Sequence, residues 1–388
     1  MAPLDPTRRP PPYGTEPLPL TQPLRLEDLP TPALVLDLAP FERNVAKMAS
    51  HLSSRGVRAR PHTKTHKCPE IGRRQMAAGA VGLCCAKVSE AEVLASSGLD
   101  TLLVTSPVAT ENKARRVAEL AARCRELLMV VDSERGARLL SRAAVEAGVE
   151  VGVLVDLDPG THRTGVTLGE PAVAFVHLVR ALPSLRVEGL QAYAGHLQHV
   201  QGFEARRDRA KEIWDRVLET RRALVAAGAS PRILTGGGTG TFDIDPGVEG
   251  LTDVQVGSYV FMDAEYRAIG GPGGVLFEPF ETALFVLLTA ISQPVPERIT
   301  VDGGFKAFAT DSVRPELLDV AGVRYHWGGD EHGILELQEP SRPIALGDQL
   351  RLGVPHCDPT VNLYDGFWVL RDGVVSEWWP IAARGRGE

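Results

Sequence analysis

The sequence predicts an α/β protein in which a (β/α)8 barrel of the TIM type is followed by a C-terminal β domain. Two observations support this fold class. From about residue 27 to residue 270, apolar runs of strand length alternate with segments of helical periodicity, the pattern of a parallel sheet covered on both faces. Beyond residue 270 the helical pattern gives way to short β-rich runs broken by Pro and Gly. We therefore predict an arm over residues 1–26, a barrel over 27–270 and a β domain over 271–388.

Composition and charge limit the classes of function that the chain can have. It has 388 residues, of which 44% are hydrophobic, enough for two domains with sizeable cores. A net charge of -7 argues against nucleic acid or an anionic membrane as partner. The chain lacks both the run of roughly 18 apolar residues that a membrane helix needs and the apolar core of a signal peptide. Five cysteines without a CxxC pair indicate neither a structural zinc site nor a disulfide framework, and we expect a cytoplasmic protein.

The first elements follow a Pro-rich start. Residues 1–26 contain many prolines and little apolar periodicity, so we expect an extended or poorly ordered arm. Residues 31–37 form an apolar run of strand length. The apolar residues Phe41, Val45 and Met48 then recur at helical spacing. This strand and helix form the first unit of the predicted barrel.

The same unit repeats along the next two hundred residues. Glycines just past the helical segments are the expected stop signals, and a long helix rich in Arg and Glu is expected over 202–227. The predicted strands are 81–86, 101–105, 127–131, 151–157, 189–194 and 233–234, and the glycines are Gly56, Gly79, Gly98, Gly148 and Gly228. About eight such units indicate a closed barrel.

A basic stretch, RARPHTKTHK at residues 58–67, follows the first of these helices. A short strand at 58–60 is expected to open here into a loop at the C-terminal rim, where α/β barrels place their chemistry. Lys64 and Lys67 are both candidates for a reactive amine, because neighbouring Arg and His residues favour a neutral lysine. A solvated or anion-binding surface is the alternative for such a cluster.

Two glycine-containing segments are candidates for phosphate binding. The segment TGGGTGT at 235–241 follows a predicted strand, and its backbone N–H groups around Gly237, Gly238 and Thr239 can converge on an anion. Gly257, Ser258 and Tyr259 follow the next strand and would form the other side of the same cup. A flexible loop is the alternative for the glycine run.

His356, Cys357 and Asp358 form a candidate metal site. On a strand, residues i and i+2 point to the same side, so His356 and Asp358 would share one cation while Cys357 faces away. Imidazole plus carboxylate, completed by water, suits Mn²⁺ best, and Mg²⁺, Co²⁺ or Zn²⁺ are also compatible. A register shift would make Cys357 the ligand instead.

Taken together, these motifs resemble one family. RPHTKTHK at 60–67, DPGTHRTGV at 158–166, GLQAYAGHLQH at 189–199, TGGGTGT at 235–241, QVGSYVFMD at 255–263 and HCDPTVNLYD at 356–365 resemble the fold-type III, alanine racemase-like pyridoxal-phosphate enzymes, in their D-threonine aldolase and D-serine dehydratase branch. The resemblance implies pyridoxal 5′-phosphate as cofactor and chooses Lys64 as its Schiff-base lysine. It also implies that Arg163 bonds the cofactor's phenolic oxygen and that Tyr193 lines the cofactor. His199 is implied as the acid or base near the substrate hydroxyl, with His196 as a nearby competitor.

The resemblance also implies an activity and a partner. The expected reaction is a retro-aldol cleavage of D-threonine and related D-β-hydroxy-α-amino acids to glycine and an aldehyde. A homodimer is implied, in which the β domain covers the partner's barrel mouth and Asp330 is the first choice to complete that neighbouring site. A metal-dependent D-serine or 3-hydroxy-D-aspartate dehydratase is the alternative, disfavoured by the His-x-Asp pair, since dehydratases show His and Cys two residues apart. A non-enzymatic pyridoxal-phosphate carrier is a more distant alternative.

Overall fold

The computed structural model describes residues 14–388, and this part of the chain divides into two compact units. The first unit contains the described residues up to Ala46, Thr65–Ile71 and Ser258–Gly385. The second contains Lys47–Lys64, Gly72–Gly257 and Arg386–Glu388. Among the helices of residues 14–388, none is long and apolar enough to cross a bilayer.

Strands and helices alternate through the middle of the chain, and strands dominate both ends. The strands are β1 (Leu18–Arg25), β2 (Ala33–Asp37), β3 (Arg58–Ala59), β4 (Leu83–Cys85), β5 (Thr101–Val104), β6 (Glu126–Val131), β7 (Val151–Asp158), β8 (Val166–Thr167), β9 (Leu185–Ala192), β10 (Ile233–Gly236), β11 (Asp253–Val254), β12 (Leu284–Val295), β13 (Arg298–Val301), β14 (Glu316–Leu317), β15 (Val323–Trp327), β16 (Gly333–Leu337), β17 (Gln349–Gly353), β18 (Gly366–Arg371) and β19 (Val374–Pro380). The helices are α1 (Leu38–Ser53), α2 (Pro69–Ala77), α3 (Val88–Ser96), α4 (Glu111–Ala121), α5 (Glu134–Ala147), α6 (Glu170–Arg180), α7 (Phe203–Ala226), α8 (Ala264–Arg267) and α9 (Cys357–Val361).

The second unit is a parallel barrel. Within the described residues, eight parallel strands follow one another in the order β3, β4, β5, β6, β7, β9, β10 and β11. The ring closes because β11 pairs with β3, while a parallel bridge joins His62 to Cys84 beyond the end of β3. An apolar cluster that includes Leu103, Leu128 and Leu154 packs within this sheet. The predicted (β/α)8 barrel is confirmed.

The predicted helix stops are confirmed as well. The five glycines expected to end helices all adopt positive φ, between 66° for Gly148 and 98° for Gly79. At the other end of α5, the Ser133 side chain caps the helix by accepting a hydrogen bond from the Gly136 N–H. The long helix expected over 202–227 is α7.

One predicted barrel strand belongs elsewhere. The run at 31–37 does form a strand, β2, and a helix follows it, but β2 pairs with β12 and β18 in the sheet of the first unit. The first barrel strand is the two-residue β3. Leu34, Val35 and Leu36 are fully buried, as in a strand whose two faces are both covered, so apolarity alone did not reveal which sheet they join.

The first unit is built on a mixed sheet, mostly antiparallel. Its strands run in the order β1, β19, β18, β2, β12, β13, β16 and β15, with β17 paired to β12 and β14. One side of the sheet carries a cluster of buried apolar residues, among them Leu18, Val35, Phe285, Leu287, Trp368 and Trp378. The predicted β-rich runs after residue 270 are found here as β12, β13 and β17.

The units do not follow the boundaries predicted at 26/27 and 270/271. Residues 1–13 of the predicted arm lie outside the described residues, and the remainder contains β1, which pairs antiparallel with β19. Strands β1 and β2 therefore join the C-terminal strands in one sheet, because their hydrogen-bonding partners are β19, β18 and β12. Residues 258–270 also group with this unit.

Candidate active site

A cavity of about 260 Å³ lies at the C-terminal ends of the barrel strands. Its lining residues all stand at or just beyond those strand ends, on the rim where barrels of this type carry their active sites. They are His62, Lys64, Ala86, Thr105, Ser106, Arg163, Thr164, Gln191, Tyr193 and Gln255. The cavity thus combines two cationic side chains with hydroxyl and amide groups.

Lys64 stands in this cavity on a short 3-10 helix, Thr63–Thr65, that follows β3. Its neighbours are buried and hydrogen-bonded: the Thr63 hydroxyl donates to the Cys84 carbonyl at 2.8 Å, and His62 Nε2 lies 3.1 Å from Thr105 Oγ1. Lys67, the competing candidate, belongs to the first unit, where its carbonyl accepts from the Ala383 N–H at 3.0 Å. Among the described residues that line the cavity, Lys64 is the lysine.

Arg163 and Tyr193 share the cavity with Lys64. The Arg163 guanidinium carbon lies 5.6 Å from the centre of the Tyr193 ring, within cation–π distance. Asp158 shapes the loop that carries Arg163, accepting from the backbone N–H groups of Gly160 at 2.8 Å and His162 at 3.0 Å. His162 adopts a positive φ of 53° in this turn. Burial raises the pKa of Asp158, but these hydrogen bonds outweigh it and hold the pKa below its usual value.

A chain of buried polar side chains underlies the cavity, and the sequence analysis missed it. Asp156, Gln191 and Thr235 are register partners on β7, β9 and β10, and Gln255 follows β11. Gln191 Nε2 donates to Asp156 Oδ1 at 2.9 Å, and Gln255 Nε2 lies 2.9 Å from Gln191 Oε1. Burial raises the pKa of Asp156 to about 6, against the effect of hydrogen bonds from Gln191 and Thr164. Polar residues within otherwise apolar strands were the available signal.

The predicted phosphate loop is held from behind by buried side chains. Gly237 has φ 65°, and a Cβ atom there would overlap Asp245 Oδ2, so glycine is required. Asp245 accepts hydrogen bonds from Trp214 Nε1 at 2.8 Å and from the Thr241 hydroxyl. Gln198 Oε1 accepts from the Gly240 N–H at 2.9 Å. Burial raises the pKa of Asp245 to about 7, against its hydrogen bonds from Thr241 and Trp214. Asp245 and Gln198 were also missed.

The remaining barrel candidates stand outside the lining of this cavity. Gly238 and Thr239 are buried, as are Ser258 and Tyr259. Gly257 belongs to the second unit, whereas Ser258 and Tyr259 belong to the first, where the Tyr259 ring packs edge-on against Phe280. His196 is exposed and His199 is partly buried in the segment after β9. None of these is among the cavity-lining residues of 14–388, and their roles stay predictions.

The candidate metal residues lie at the start of a helix, which corrects the predicted strand. His356 is the N-terminal cap of α9 and Asp358 lies in its first turn, so the i, i+2 strand argument does not apply to them. His356 Nδ1 lies 2.8 Å from Asp311 Oδ2 and 3.8 Å from Glu265 Oε2. Burial lowers the pKa of His356, but Asp358 and Asp311 outweigh it, and the pKa is raised overall. The contact with Asp311 was not foreseen.

Cys357 faces the interior. It is 0% exposed, and its N–H donates to Asp263 Oδ2 at 2.9 Å. Burial raises the pKa of its thiol well above the usual value, so the thiolate needed for metal binding is disfavoured. No group of three or more His, Cys, Asp or Glu side chains in residues 14–388 has an arrangement able to hold a metal. Imidazole with carboxylate nevertheless fits a divalent cation that takes its other ligands from water.

Asp330, the residue predicted to reach a neighbouring site, lies in an exposed loop of the first unit. Its carbonyl oxygen accepts from the Lys306 N–H at 3.0 Å. Beside it, Lys306 Nζ and Glu331 Oε1 form an ion pair at 2.5 Å. Its proposed role in a dimer stays a prediction.

Two family models match the chain, one over the strand–helix part and one over the β-rich part that follows it. Residues 36–265 match the model described as "Alanine racemase, N-terminal domain", which covers more than half of the chain. Residues 283–370 match the model described as "Putative serine dehydratase domain". The first match spans the barrel and the second spans β-rich segments of the first unit.

Individual proteins match over nearly the full length. The chain is 39% identical to a D-threonine aldolase from an Arthrobacter species, over 92% of this chain and 93% of the relative. It is 38% identical to a 3-hydroxy-D-aspartate aldolase from Paracoccus denitrificans, over 93% of each. The crystal structure of D-threonine aldolase from Filomicrobium marinum superposes with a TM-score of 0.92 at 40% identity, covering 95% of this chain and 100% of that one. These matches and the barrel mouth around Lys64 show that the chain belongs to the D-threonine aldolase family of alanine racemase-like lyases.

Proposed function

We propose that this protein is a D-threonine aldolase that uses pyridoxal 5′-phosphate and a divalent metal, cleaving D-threonine and related D-β-hydroxy-α-amino acids to glycine and an aldehyde. One observation carries the proposal: Lys64 shares a single cavity with Arg163 and Tyr193 at the barrel mouth of a chain 39% identical to a D-threonine aldolase. An amine next to a cation in a polar, partly enclosed cavity suits capture of an anionic aldehyde.

The cofactor would be held by residues of the second unit. Lys64 supplies the amine that bonds its aldehyde carbon, and Arg163 supplies a cation for its phenolic oxygen. The glycine loop at 237–239, held in place by Asp245 and Gln198, supplies backbone N–H groups for its phosphate. When bound, pyridoxal phosphate provides the electron sink that cleavage of the Cα–Cβ bond requires.

The proton of the substrate's β-hydroxyl is the second requirement of the reaction. We assign the metal to His356 and Asp358, and a divalent cation there would lower the pKa of a hydroxyl bound to it. Asp311 accepts the hydrogen of His356 Nδ1, which leaves Nε2 as the ligating nitrogen. We assign His199 as the base that accepts the hydroxyl proton, because imidazole is the usual acceptor near neutral pH. Mn²⁺ remains our choice of metal.

The dehydratase alternative would use the same groups but expel hydroxide from the substrate. The match of residues 283–370 to a serine dehydratase domain keeps it open as a second function. Burial of Cys357 favours the His356 and Asp358 pair over a His and Cys pair, and so favours the aldolase. A non-enzymatic carrier needs neither that pair nor the β-rich unit. A homodimer with Asp330 near the partner's site, and a cytoplasmic location, complete the proposal.

Product analysis tests the proposed reaction. The protein is loaded with pyridoxal phosphate and Mn²⁺ and given D-threonine, with L-threonine and a chelated sample as controls. We expect glycine and acetaldehyde from D-threonine, lost after chelation. Formation of 2-oxobutanoate and ammonia would establish the dehydratase instead. Full activity in the metal-free sample would refute the role of the metal, and absence of any product would favour the carrier.

A further inference from the structure

The hydrogen bonds among the buried polar side chains beneath the cavity all have a defined donor and acceptor. This chain of hydrogen bonds begins at Asp156 and ends at Asp253, and both are carboxylates that accept hydrogen bonds. Asp253 is further held by Arg60, whose Nε lies 2.9 Å from Asp253 Oδ1. An amide placed between two acceptors cannot be oriented arbitrarily, because its NH₂ group only donates and its oxygen only accepts.

The orientation of the Gln191 amide follows from Asp156. Gln191 must turn its Nε2 to the carboxylate, and the separation is 2.9 Å. Its Oε1 therefore points along the chain and accepts from Gln255 Nε2, also at 2.9 Å. The two residues share one direction of donation, from Gln255 through Gln191 to Asp156.

The orientation of Gln255 is fixed from its other side as well. The Thr235 hydroxyl gives its hydrogen to Asp253 Oδ1 at 2.6 Å, so toward Gln255 it can only accept. Gln255 Nε2 donates to Thr235 Oγ1 at 3.2 Å and to Gln191 Oε1. Both of its amide hydrogens are thereby used. The polar atom that Gln255 can offer to the cavity is its carbonyl Oε1, an acceptor.

We propose that Gln255 Oε1 is a built acceptor for the ring N–H of bound pyridoxal phosphate, and that Gln191 positions it. The inference rests on the proposed function, since it needs that cofactor. Gln255 is 4% exposed and lines the same cavity as Lys64 and Arg163. If Lys64 holds the aldehyde carbon, Arg163 the phenolic oxygen and the glycine loop the phosphate, as proposed above, the ring nitrogen is the cofactor atom left to donate.

A neutral acceptor at this position has a chemical consequence. A hydrogen bond that only the protonated nitrogen can donate raises the pKa of that nitrogen, whereas a donor would lower it. Protonation makes the ring a stronger electron sink, as the proposed cleavage requires. Asp156 does not contact Gln255 directly. It acts through Gln191, because it accepts from Gln191 Nε2 and thereby turns Gln191 Oε1 toward Gln255 Nε2.

The test uses pyridoxal phosphate isotopically labelled at the ring nitrogen and bound to the full-length protein at about pH 8. The nitrogen chemical shift distinguishes the protonated ring from the unprotonated one. We expect the protonated signal in the natural protein and its loss in Gln255→Leu. Gln255→Glu keeps an acceptor and should keep the protonated signal. Gln191→Leu removes one of the two acceptors that hold the Gln255 amide and leaves Thr235 Oγ1 as the other, so only part of that signal should be lost.

A matched control removes a nearby charge without touching the chain. Asp132 is a carboxylate near Asp156 that accepts from the Gly165 N–H and has no hydrogen bond to Gln191 or Gln255 within residues 14–388. Asp132→Asn should leave the ring-nitrogen shift as in the natural protein. If Asp132→Asn moves the shift as far as Gln255→Leu does, a general charge effect replaces our inference.

The absorbance of the lysine-bound cofactor shows whether the cofactor is bound, and so distinguishes a failure of the inference from a failure of the proposed function. If the natural protein and Gln255→Leu both carry the cofactor and give the same ring-nitrogen shift, the role of Gln255 is refuted while the proposed function stands. If the natural protein carries no cofactor under saturating pyridoxal phosphate, the proposed function fails and the inference fails with it.

Discussion

The cavity at the barrel mouth and the start of α9 at His356 are built by different means. Lys64 lies on a short helix between buried, hydrogen-bonded neighbours, and the floor beneath it is a continuous chain of buried side chains. At His356 the imidazole is 22% exposed, and its partner Asp311 is 52% exposed. Groups fixed by buried neighbours keep their positions without a ligand, whereas exposed carboxylates move more freely.

The two regions should therefore depend on their ligands to different degrees. The barrel mouth is organised by strand ends and by its interior hydrogen bonds, so it should retain its geometry when empty. At His356, Asp311 and Glu265 lie 2.8 and 3.8 Å from the imidazole, and Asp358 raises its pKa. Carboxylates around one imidazole favour a bound cation. We therefore expect variants at the barrel mouth to act on chemistry, and variants around His356 to act first on metal affinity.

The largest effect is expected at Lys64. Lys64→Ala removes the amine that we propose bonds the cofactor, so the visible absorbance of the lysine-bound cofactor and the aldolase activity should both be lost. Lys67→Ala is the control, since its side chain is not among the cavity-lining residues of 14–388, and it should keep the absorbance. An unchanged spectrum in Lys64→Ala would assign the cofactor to another lysine.

The next largest effect is expected at the proposed metal ligands, where loss of the metal should leave cofactor binding unchanged. His356→Ala or Asp358→Ala should abolish metal binding and activity while leaving cofactor absorbance intact, because Lys64, the lysine proposed to bond the cofactor, belongs to the other unit. Metal content after gel filtration and the visible spectrum measure the two properties independently. Cys357→Ala should retain the metal, since its thiol is buried and neutral. Loss of metal in Cys357→Ala alone would make the cysteine the ligand.

Much of this arrangement could be predicted from sequence because it is local. The strand–helix alternation and the glycine stops depend on residues near one another in the chain, and the barrel was predicted from them. The position of Lys64 followed from a strand end and a family motif. The sheet that β2 joins depends on β12 and β18, which lie far along the chain, so no local pattern could reveal it.

The contacts that position the site residues are also non-local. Asp311 lies 45 residues from His356, and Gln255 lies 64 residues from Gln191. Asp245 and Trp214 meet behind the glycine loop across 31 residues. In sequence each of these residues looks like an ordinary polar or aromatic residue, and only the folded barrel brings them together. The short helix α9 was missed because its five residues, Cys-Asp-Pro-Thr-Val, are too few to show helical periodicity.

A smaller effect is expected at Asp311, which contacts the proposed metal ligand His356 without being assigned as a ligand itself. Asp311→Ala should weaken metal binding about 10- to 100-fold, because it removes the acceptor that orients His356. Titration with Mn²⁺, followed by its paramagnetic resonance, measures the change. Glu331→Gln removes another exposed carboxylate of the same unit, one that pairs with Lys306, and should leave the affinity as it is. Equal weakening in both variants would point to general electrostatics rather than orientation.

The smallest effect concerns the pH dependence of the protein's stability, to which Asp245 behind the glycine loop contributes. It tests whether the barrel mouth is held together in the absence of the cofactor. Asp245 has a folded-state pKa of about 7, raised by burial, against about 3.9 in the unfolded chain. Between these values the folded protein holds a proton that the unfolded chain has released. The contribution to the free energy of unfolding is therefore fully present below about pH 4 and declines as pH rises through 7. Thermal unfolding of the cofactor-free protein should show a Tm that falls over this range. In Asp245→Asn, which does not titrate, that part of the slope should vanish, and an unchanged slope would assign the pH dependence to other groups.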